Sequence, residues 1–523
     1  MSTTKLPHKD SHRSLIKSTS ILSLGTLASR ILGFVRDIIV AKLLGTGFKA
    51  DAFFVASKIP NLFRDLVGEG AMNAAVVPVL SEYKEKQDQK AFWEFTSALL
   101  AWALILLSVI TIVGIIAAPI IVRVIAPGFM ADPEKLTLTI NLTRFMFPYL
   151  VFIGLTAYSM GILFAFRSFA VSAFSPCLLN IAMIVSALVY TRTMQDPVLG
   201  LAVGVLIGGV LQLAAQWIPL TRMGVPCRKP KTLRHPGAFK IGKLLVPRML
   251  GSGVYQMSIL IDTFCASLSS IVGQGGISAI YYANRIIQAP MGIFGVAMAS
   301  AVLPTLSGLF QRNEVDSLKR TIVFTLENIF FVMCPSTVFL ILFAEPIIRI
   351  FFERGEFSLY STTITSSALA YYAIGLLSFG GIKILVSVFY ALQDTKTPAA
   401  VAACCLVVNA TLNFILMYPM KVSGIALASA IAGTADFLAL FYILDKRLGG
   451  FKAELFRYFF KVFTAAAISG AAIFWLWQYL APFQEILRLV TIGIVWLCVY
   501  ETICLALRVE QAHKIWGWIQ NRR

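Results

Sequence analysis

The sequence predicts an all-α integral membrane protein with about 14 transmembrane helices. These form two six-helix lobes, repeated in parallel around a central cationic cavity, followed by two further helices. Three observations predict it. Hydrophobic residues make up 58% of the 523-residue chain and charged residues only 14%, against about 25% charged in a soluble domain. Apolar runs recur from Leu22 to Leu507, many of them about 20 residues long, enough to cross a hydrocarbon core about 30 Å thick. Short motifs return after a nearly constant interval, the mark of an internal repeat.

The hydrophobic segments fall at 20–45, 50–80, 91–122, 137–162, 173–191, 198–220, 244–271, 277–309, 322–344, 360–391, 398–418, 423–444, 458–480 and 485–507. The tail ahead of them, 1–19, is basic and lacks a small-residue cleavage site, so it is expected to stay as a cytoplasmic tail. Loops after even-numbered segments hold the bases. Lys84, Lys86 and Lys90 follow the second segment, and Lys319 and Arg320 follow the eighth. The 222–243 linker carries seven bases and no acid, and Lys446, Arg447, Lys452, Arg457 and Lys461 follow the twelfth segment. Loops after odd-numbered segments, such as Val272–Gly276, are poorer in base. Positive charge stays inside, so both termini are expected in the cytoplasm. The expected divisions are an N-lobe at 20–221, the basic linker at 222–243, a C-lobe at 244–444, two added helices at 445–507 and a cytoplasmic tail at 508–523.

Several functions are excluded. The net charge is +19, yet no zinc-finger spacing, RNA-binding signature or long basic helix accompanies it, so no nucleic-acid partner is expected. There is no GxxxxGK for a nucleotide, no HExxH and no GxSxG. The loops are too short for a catalytic domain. The eight cysteines form no CxxC. A transporter without an organic cofactor fits better than an enzyme.

The repeat is read from paired motifs. Gly45-x-Gly47 precedes Phe53-Phe54 and Lys58, and Gly273-x-Gly275 precedes Tyr281-Tyr282 and Arg285. Pro78-Val-Leu80-Ser81 echoes Pro304-Thr-Leu306-Ser307. Parallel six-helix repeats place a transport site between the halves, near the midplane.

The membrane segments also hold charges. The first has Arg30, Arg36 and Asp37, and the second Asp51, Lys58, Arg64, Asp65 and Glu69. Each charge at a helix centre costs about 2.5–3.5 kcal/mol on insertion scales. Asp51, Lys58 and Asp65 recur every seven residues and Glu69 continues their stripe, so this set is expected to balance itself or pair with a neighbouring helix. Arg36 points about 120° away from Arg30. Arg36 and Arg64 have no acid at the right spacing on their own helix, and Arg285 sits beside neutral Asn284 and Gln288. Arginines on both halves point to a cavity for a large anion, and the guanidinium suits a diphosphate. Pro60, with Gly68 and Gly70 flanking Glu69, is expected to bend the second segment, as a gate or as a static kink. Asp262, Asn409, Asn413 and Ser429 offer oxygen ligands to a small cation, or hydrogen bonds between packed helices.

The residues now assembled resemble the MurJ/MviN family of lipid II flippases. The resemblance is closest in Ser29-Arg30-Ile-Leu-Gly33-Phe34-Val-Arg36-Asp37, in Asp51-Ala-Phe-Phe-Val-Ala-Ser-Lys58-Ile-Pro60-Asn61-Leu-Phe-Arg64 and in Glu69-Gly70-Ala71. Ala126-Pro-Gly-Phe129, Phe147-Pro-Tyr149, Tyr281-Tyr-Ala-Asn-Arg285 and Asp394-Thr-Lys-Thr-Pro398 support it. The resemblance implies the multidrug/oligosaccharidyl-lipid/polysaccharide exporter fold. It also implies carriage of lipid II, the undecaprenyl-diphosphate peptidoglycan precursor, across the bacterial inner membrane by alternating access. It implies substrate-binding roles for Arg30, Arg36, Asp51, Arg64, Ser278 and Arg285, and gating by Pro60, Glu69 and Gly70. It places a sodium site on Asp262, Asn409, Asn413 and Ser429, where Asn413 departs from the aspartate expected there. Membrane lipids and other cell-wall synthesis proteins are the implied partners. Export of another polyprenyl-linked oligosaccharide, or of drugs, is the competing reading within the superfamily.

Overall fold

The computed structural model describes residues 8–64, 76–194, 196–225, 232–233, 235–479 and 484–520. Among these the regular structure is helical throughout. Contacts divide the chain into two compact units, residues 1–256 and 257–523.

The first unit contains α1 (His8–Leu44), α2 (Phe48–Arg64), α3 (Val77–Lys86), α4 (Gln89–Ile125), α5 (Pro133–Met146), α6 (Tyr149–Ala165), α7 (Ala170–Thr193) and α8 (Pro197–Arg222). The first part of α9 (Pro236–Ser267) completes it. α7 packs on both α8 and α1. A Cβ on Gly25 of α1 would sit 2.6 Å from the backbone oxygen of Ala173 on α7. Only glycine allows that approach, which brings the α7 side chains onto α1. Lys240, from the expected linker, lies on α9 and is bonded to Glu82 of α3 at 2.7 Å. His235 stacks on Phe95 with ring centroids 5.0 Å apart.

The second unit holds the rest of α9, then α10 (Ser269–Val272), α11 (Gly276–Pro290), α12 (Val296–Gln311), α13 (Val315–Leu342) and α14 (Ala344–Phe352). It continues with α15 (Leu359–Ile374), α16 (Leu376–Ala391), α17 (Lys396–Met420) and α18 (Val422–Leu448). Last come α19 (Lys452–Tyr479), α20 (Glu485–Ala506) and α21 (Glu510–Gln520). α19 packs against α13 and α20. The indole of Trp496 donates to Ser469 Oγ at 2.9 Å and Tyr500 to the Phe331 carbonyl at 2.8 Å, which fastens α20 to α19 and α13.

Ten helices or helix pairs among the described residues are long and apolar enough to cross a membrane, and eleven if α15 and α16, bent by 46°, count as one span. The expected fourteen is not reached by that measure. The three shortfalls are the first, second and seventh segments. All three carry charge, and the second runs on into residues outside those described.

The sequence repeat has a local counterpart in each unit. Gly45 takes φ 57° just before α2, and Gly273 and Gly275 take φ 88° and 75° just before α11, a conformation that glycine adopts freely. Each turn leads to an edge-on aromatic pair, Phe53–Phe54 and Tyr281–Tyr282, both with centroids 5.7 Å apart.

Candidate substrate site and cation cluster

In the first unit the close approach of α1 and α7 sets the surroundings of Arg36. Its Nε and Nη2 donate to Asp37 Oδ1 at 3.0 and 2.7 Å. Its Nη1 donates to Asn180 Oδ1 on α7 at 3.1 Å. Asn180 in turn donates to the Ser29 carbonyl of α1 at 3.2 Å and to the Pro176 carbonyl at 3.3 Å. The Asp37 side chain is 1% exposed and that of Arg36 15%. This corrects the expectation that Arg36 has no acid of its own. Helical spacing rules consider positions three and four apart, whereas here the adjacent residue supplies the carboxylate. Arg30 itself lies exposed on α1.

Asp51 is also engaged across helices. It is buried in the first turn of α2, and Lys135 Nζ on α5 donates to its Oδ2 at 2.9 Å. Lys135 is buried too, with its ammonium 4.3 Å from the centre of the Phe129 ring. The Ala126-Pro-Gly-Phe129 motif explains this. It forms a short turn, Pro127–Ala131, that sets Phe129 beside the lysine, and Asp132 caps α5 by accepting from the Lys135 backbone N–H at 3.1 Å. Of the two expectations for the stripe, Asp51 itself shows pairing with a neighbouring helix.

α2 stays helical through Pro60 to Arg64, and Arg64 is half-buried. Asp65, Glu69 and Gly70 lie outside the described residues. In the second unit, Ser278 is buried in the first turn of α11 and Arg285 is half-buried on the same helix. Asn284 accepts a hydrogen bond from Gln288 at 3.3 Å.

The four oxygen-bearing residues meet. Asn413 Nδ2 donates to Asp262 Oδ1 at 2.7 Å, and the Ser429 hydroxyl donates to Asp262 Oδ2 at 3.0 Å. Asn409 Nδ2 donates to Ser429 Oγ at 3.3 Å, and Ser258 donates to Asn409 Oδ1 at 3.2 Å. α9, α17 and α18 therefore share one polar cluster. Asn413 Oδ1 is buried with no hydrogen-bond partner. An orphaned amide oxygen beside a carboxylate fits an oxygen-ligated monovalent cation. Among the described residues no group of three or more His, Cys, Asp or Glu could hold a metal ion, and Asp262 is the one carboxylate among these four residues.

The Asp394-Thr-Lys-Thr-Pro398 motif fixes the entry to α17. Asp394 Oδ1 accepts from the Thr397 N–H at 3.0 Å, and Oδ2 accepts from the Thr397 hydroxyl at 2.7 Å and from Arg447 at 2.8 Å. The bonds from Thr397, and then Arg447, hold its carboxyl below the ordinary range.

The profile of one protein family, described as lipid II flippase MurJ, matches residues 40–491. This chain belongs to that family. A relative from Haemophilus influenzae, called a probable lipid II flippase MurJ, is 35% identical over 509 residues, covering 93% of this chain and 99% of the relative. A solved lipid II flippase MurJ in an inward closed conformation is 27% identical, with a TM-score of 0.80, over 93% of this chain and 98% of that one. An inward-facing multidrug resistance transporter of the MATE family, of the MOP superfamily, shares the fold. Its TM-score is 0.69 at 17% identity, over 83% of this chain and 98% of that one. The family is one of membrane transporters, not catalysts, and the many apolar helices place this member in a membrane as a multi-pass protein.

Sequence reasoning missed Asn180 and Lys135. A buried amide on an apolar helix was the available signal for Asn180. Lys135 sits in what reads as a loop, and only the Phe129 motif beside it hints at burial.

Proposed function

We propose that this chain carries lipid II from the cytoplasmic to the periplasmic leaflet of the bacterial inner membrane, in peptidoglycan synthesis. The observation that carries the reading is the family match over residues 40–491, which includes both units. The mechanism is alternating access between two six-helix lobes, 20–221 and 244–444, joined by the basic 222–243 linker. The diphosphate is bound by Arg30, Arg36 and Arg285, with Arg64, Ser278 and Asp51 completing the site. Arg36 acts with its charge shared by Asp37, so its role is directional hydrogen bonding rather than raw attraction. The prenyl tail stays in lipid, alongside the helices of 445–507. Pro60, Glu69 and Gly70 make up a gate. Both termini lie in the cytoplasm.

Asp262, Asn409, Asn413 and Ser429 would hold a sodium ion. A bound ion would tie α9 to α17 and α18 more tightly, and its gradient or the membrane potential would reset the protein. Replacing potassium by sodium should raise Tm in the wild type and leave Asp262→Asn unchanged. An equal response in both would remove the cation site.

A leaflet-accessibility assay tests the function. Depleting this protein from its host should trap lipid II in the inner leaflet, and re-expression should release it. Normal translocation during depletion, with no other flippase present, would overturn the reading.

A further inference from the structure

Within the expected C-terminal tail, 508–523, lies a helix, α21, folded back against the second unit. The chain leaves α20 at Ala506, turns through Arg508 at φ 54°, and starts α21 at Glu510. Val509 and Ala512 are buried, and Gln511 Nε2 donates to Glu327 Oε2 of α13 at 3.2 Å. The Lys514 ammonium lies 4.6 Å from the centre of the Phe324 ring. The first turn is thus anchored on α13.

At about 100° per residue, Gln511, Ala512, Ile515, Trp516 and Trp518 share one arc of about 160°. Glu510, His513, Lys514 and Gln520 occupy the opposite arc. On this arc Gln511 and Ala512, in the first turn, are buried. Ile515, Trp516 and Trp518 are 43%, 50% and 59% exposed. This exposed face continues from α20, a helix long and apolar enough to span a membrane, whose own residues Val490, Ile494 and Leu497 are exposed. The apolar phase that reaches the end of α20 is the bilayer. Tryptophan is favoured at the level of the headgroups, and a helix with one such face lies in that plane. Basic residues outnumber acids here: Arg508 and Lys514 against Glu510 in the described part, with Arg522 and Arg523 beyond it.

We infer that α21 is an interfacial helix that seats Trp516 and Trp518 among phospholipid headgroups and pins the outer edge of α13 and α20 to the membrane surface. The inference is independent of what the protein transports.

The full chain in nanodiscs of phosphatidylethanolamine and phosphatidylglycerol tests it. The fluorescence of Trp516 and Trp518 is the difference between wild type and the W516F/W518F variant. That share should be quenched by lipids brominated near the headgroup and left nearly intact by aqueous iodide. Tryptic cleavage after Lys514 should be slow in nanodiscs, and fast there in W516E/W518E. Strong iodide quenching without lipid quenching would overturn the inference and mark a face open to a soluble protein partner. Equal cleavage rates in wild type and W516E/W518E would overturn it as well.

Discussion

The Arg36 guanidinium is tied to a carboxylate that is 1% exposed, so Arg36→Ala has two effects that must be separated. It removes a candidate phosphate ligand, and it breaks a buried pair. Breaking such a pair from one side costs about 3–5 kcal/mol. Arg36→Ala should therefore lower Tm sharply as well as abolish rescue of a flippase-depleted host. In R36A/D37N the carboxylate is neutralised along with the arginine. The double variant should recover most of the Tm and none of the transport. Recovery of both would reduce Arg36 to a structural residue. Asn180 offers a gentler probe. Asn180→Leu removes the acceptor of Nη1, and a hydrogen bond to a charged group is worth about 1.5–3 kcal/mol. Transport should fall about tenfold, while Asn180→Asp, which keeps an acceptor, should retain most of it. The arginine itself was legible in the sequence because charge inside an apolar run is rare. Its partners were not. One is the adjacent residue, and the other is a neutral amide 144 positions away.

Between elements, buried or capped charges decide how the helices are joined. Lys135 and Asp51 connect α5 to α2 with both side chains below a tenth exposed. Lys135→Met or Asp51→Asn alone should each destabilise by about 3–5 kcal/mol, and D51N/K135M should recover part of the loss. Chemical denaturation of the four proteins gives the coupling. Additive losses would show that the two groups stand apart in solution. If Asp51 serves only this pair, the double variant also transports, whereas a substrate role for Asp51 leaves it inactive. Asp394 joins α17 to α18 through Thr397 and Arg447. Asp394→Ala should cost about 1 kcal/mol, as loss of a helix cap does. The carboxyl is held below its ordinary value, so its contribution is complete above the unfolded pKa, about 3.9. It is lost as pH falls through the lower folded value. The Tm gap between wild type and Asp394→Ala should stay constant from neutral pH to about 5 and narrow as pH falls below the unfolded value of about 3.9. The Asp394 motif was visible in the sequence, but its physical use was not, because Arg447 arrives from 53 residues further along.

For the molecule as a whole, the sequence carried what depends on composition and period. Long apolar runs dictate helices in lipid, because every backbone polar group must be satisfied within the segment. The glycine turns and aromatic pairs at a constant offset disclosed the repeat, since a positive-φ glycine and an edge-on aromatic pair recur in each unit. The number of spans was less secure, because α1, α2 and α9 carry the charges that hydropathy penalises. The expected orientation rests on the same kind of reasoning, and it is open to direct measurement. Lys319 and Arg320 after the eighth segment, and the bases from Lys446 to Lys461 after the twelfth, fall on one side only if the segments alternate strictly. A fluorescent protein fused after Arg523 should then fold and fluoresce, and alkaline phosphatase fused there should be inactive. Phosphatase inserted within Val272–Gly276 should be active. An active phosphatase at the C-terminus would place the basic loops outside. Arg36 and Arg285 would then meet lipid II from the opposite leaflet, and the proposed direction of transport would have to be reversed.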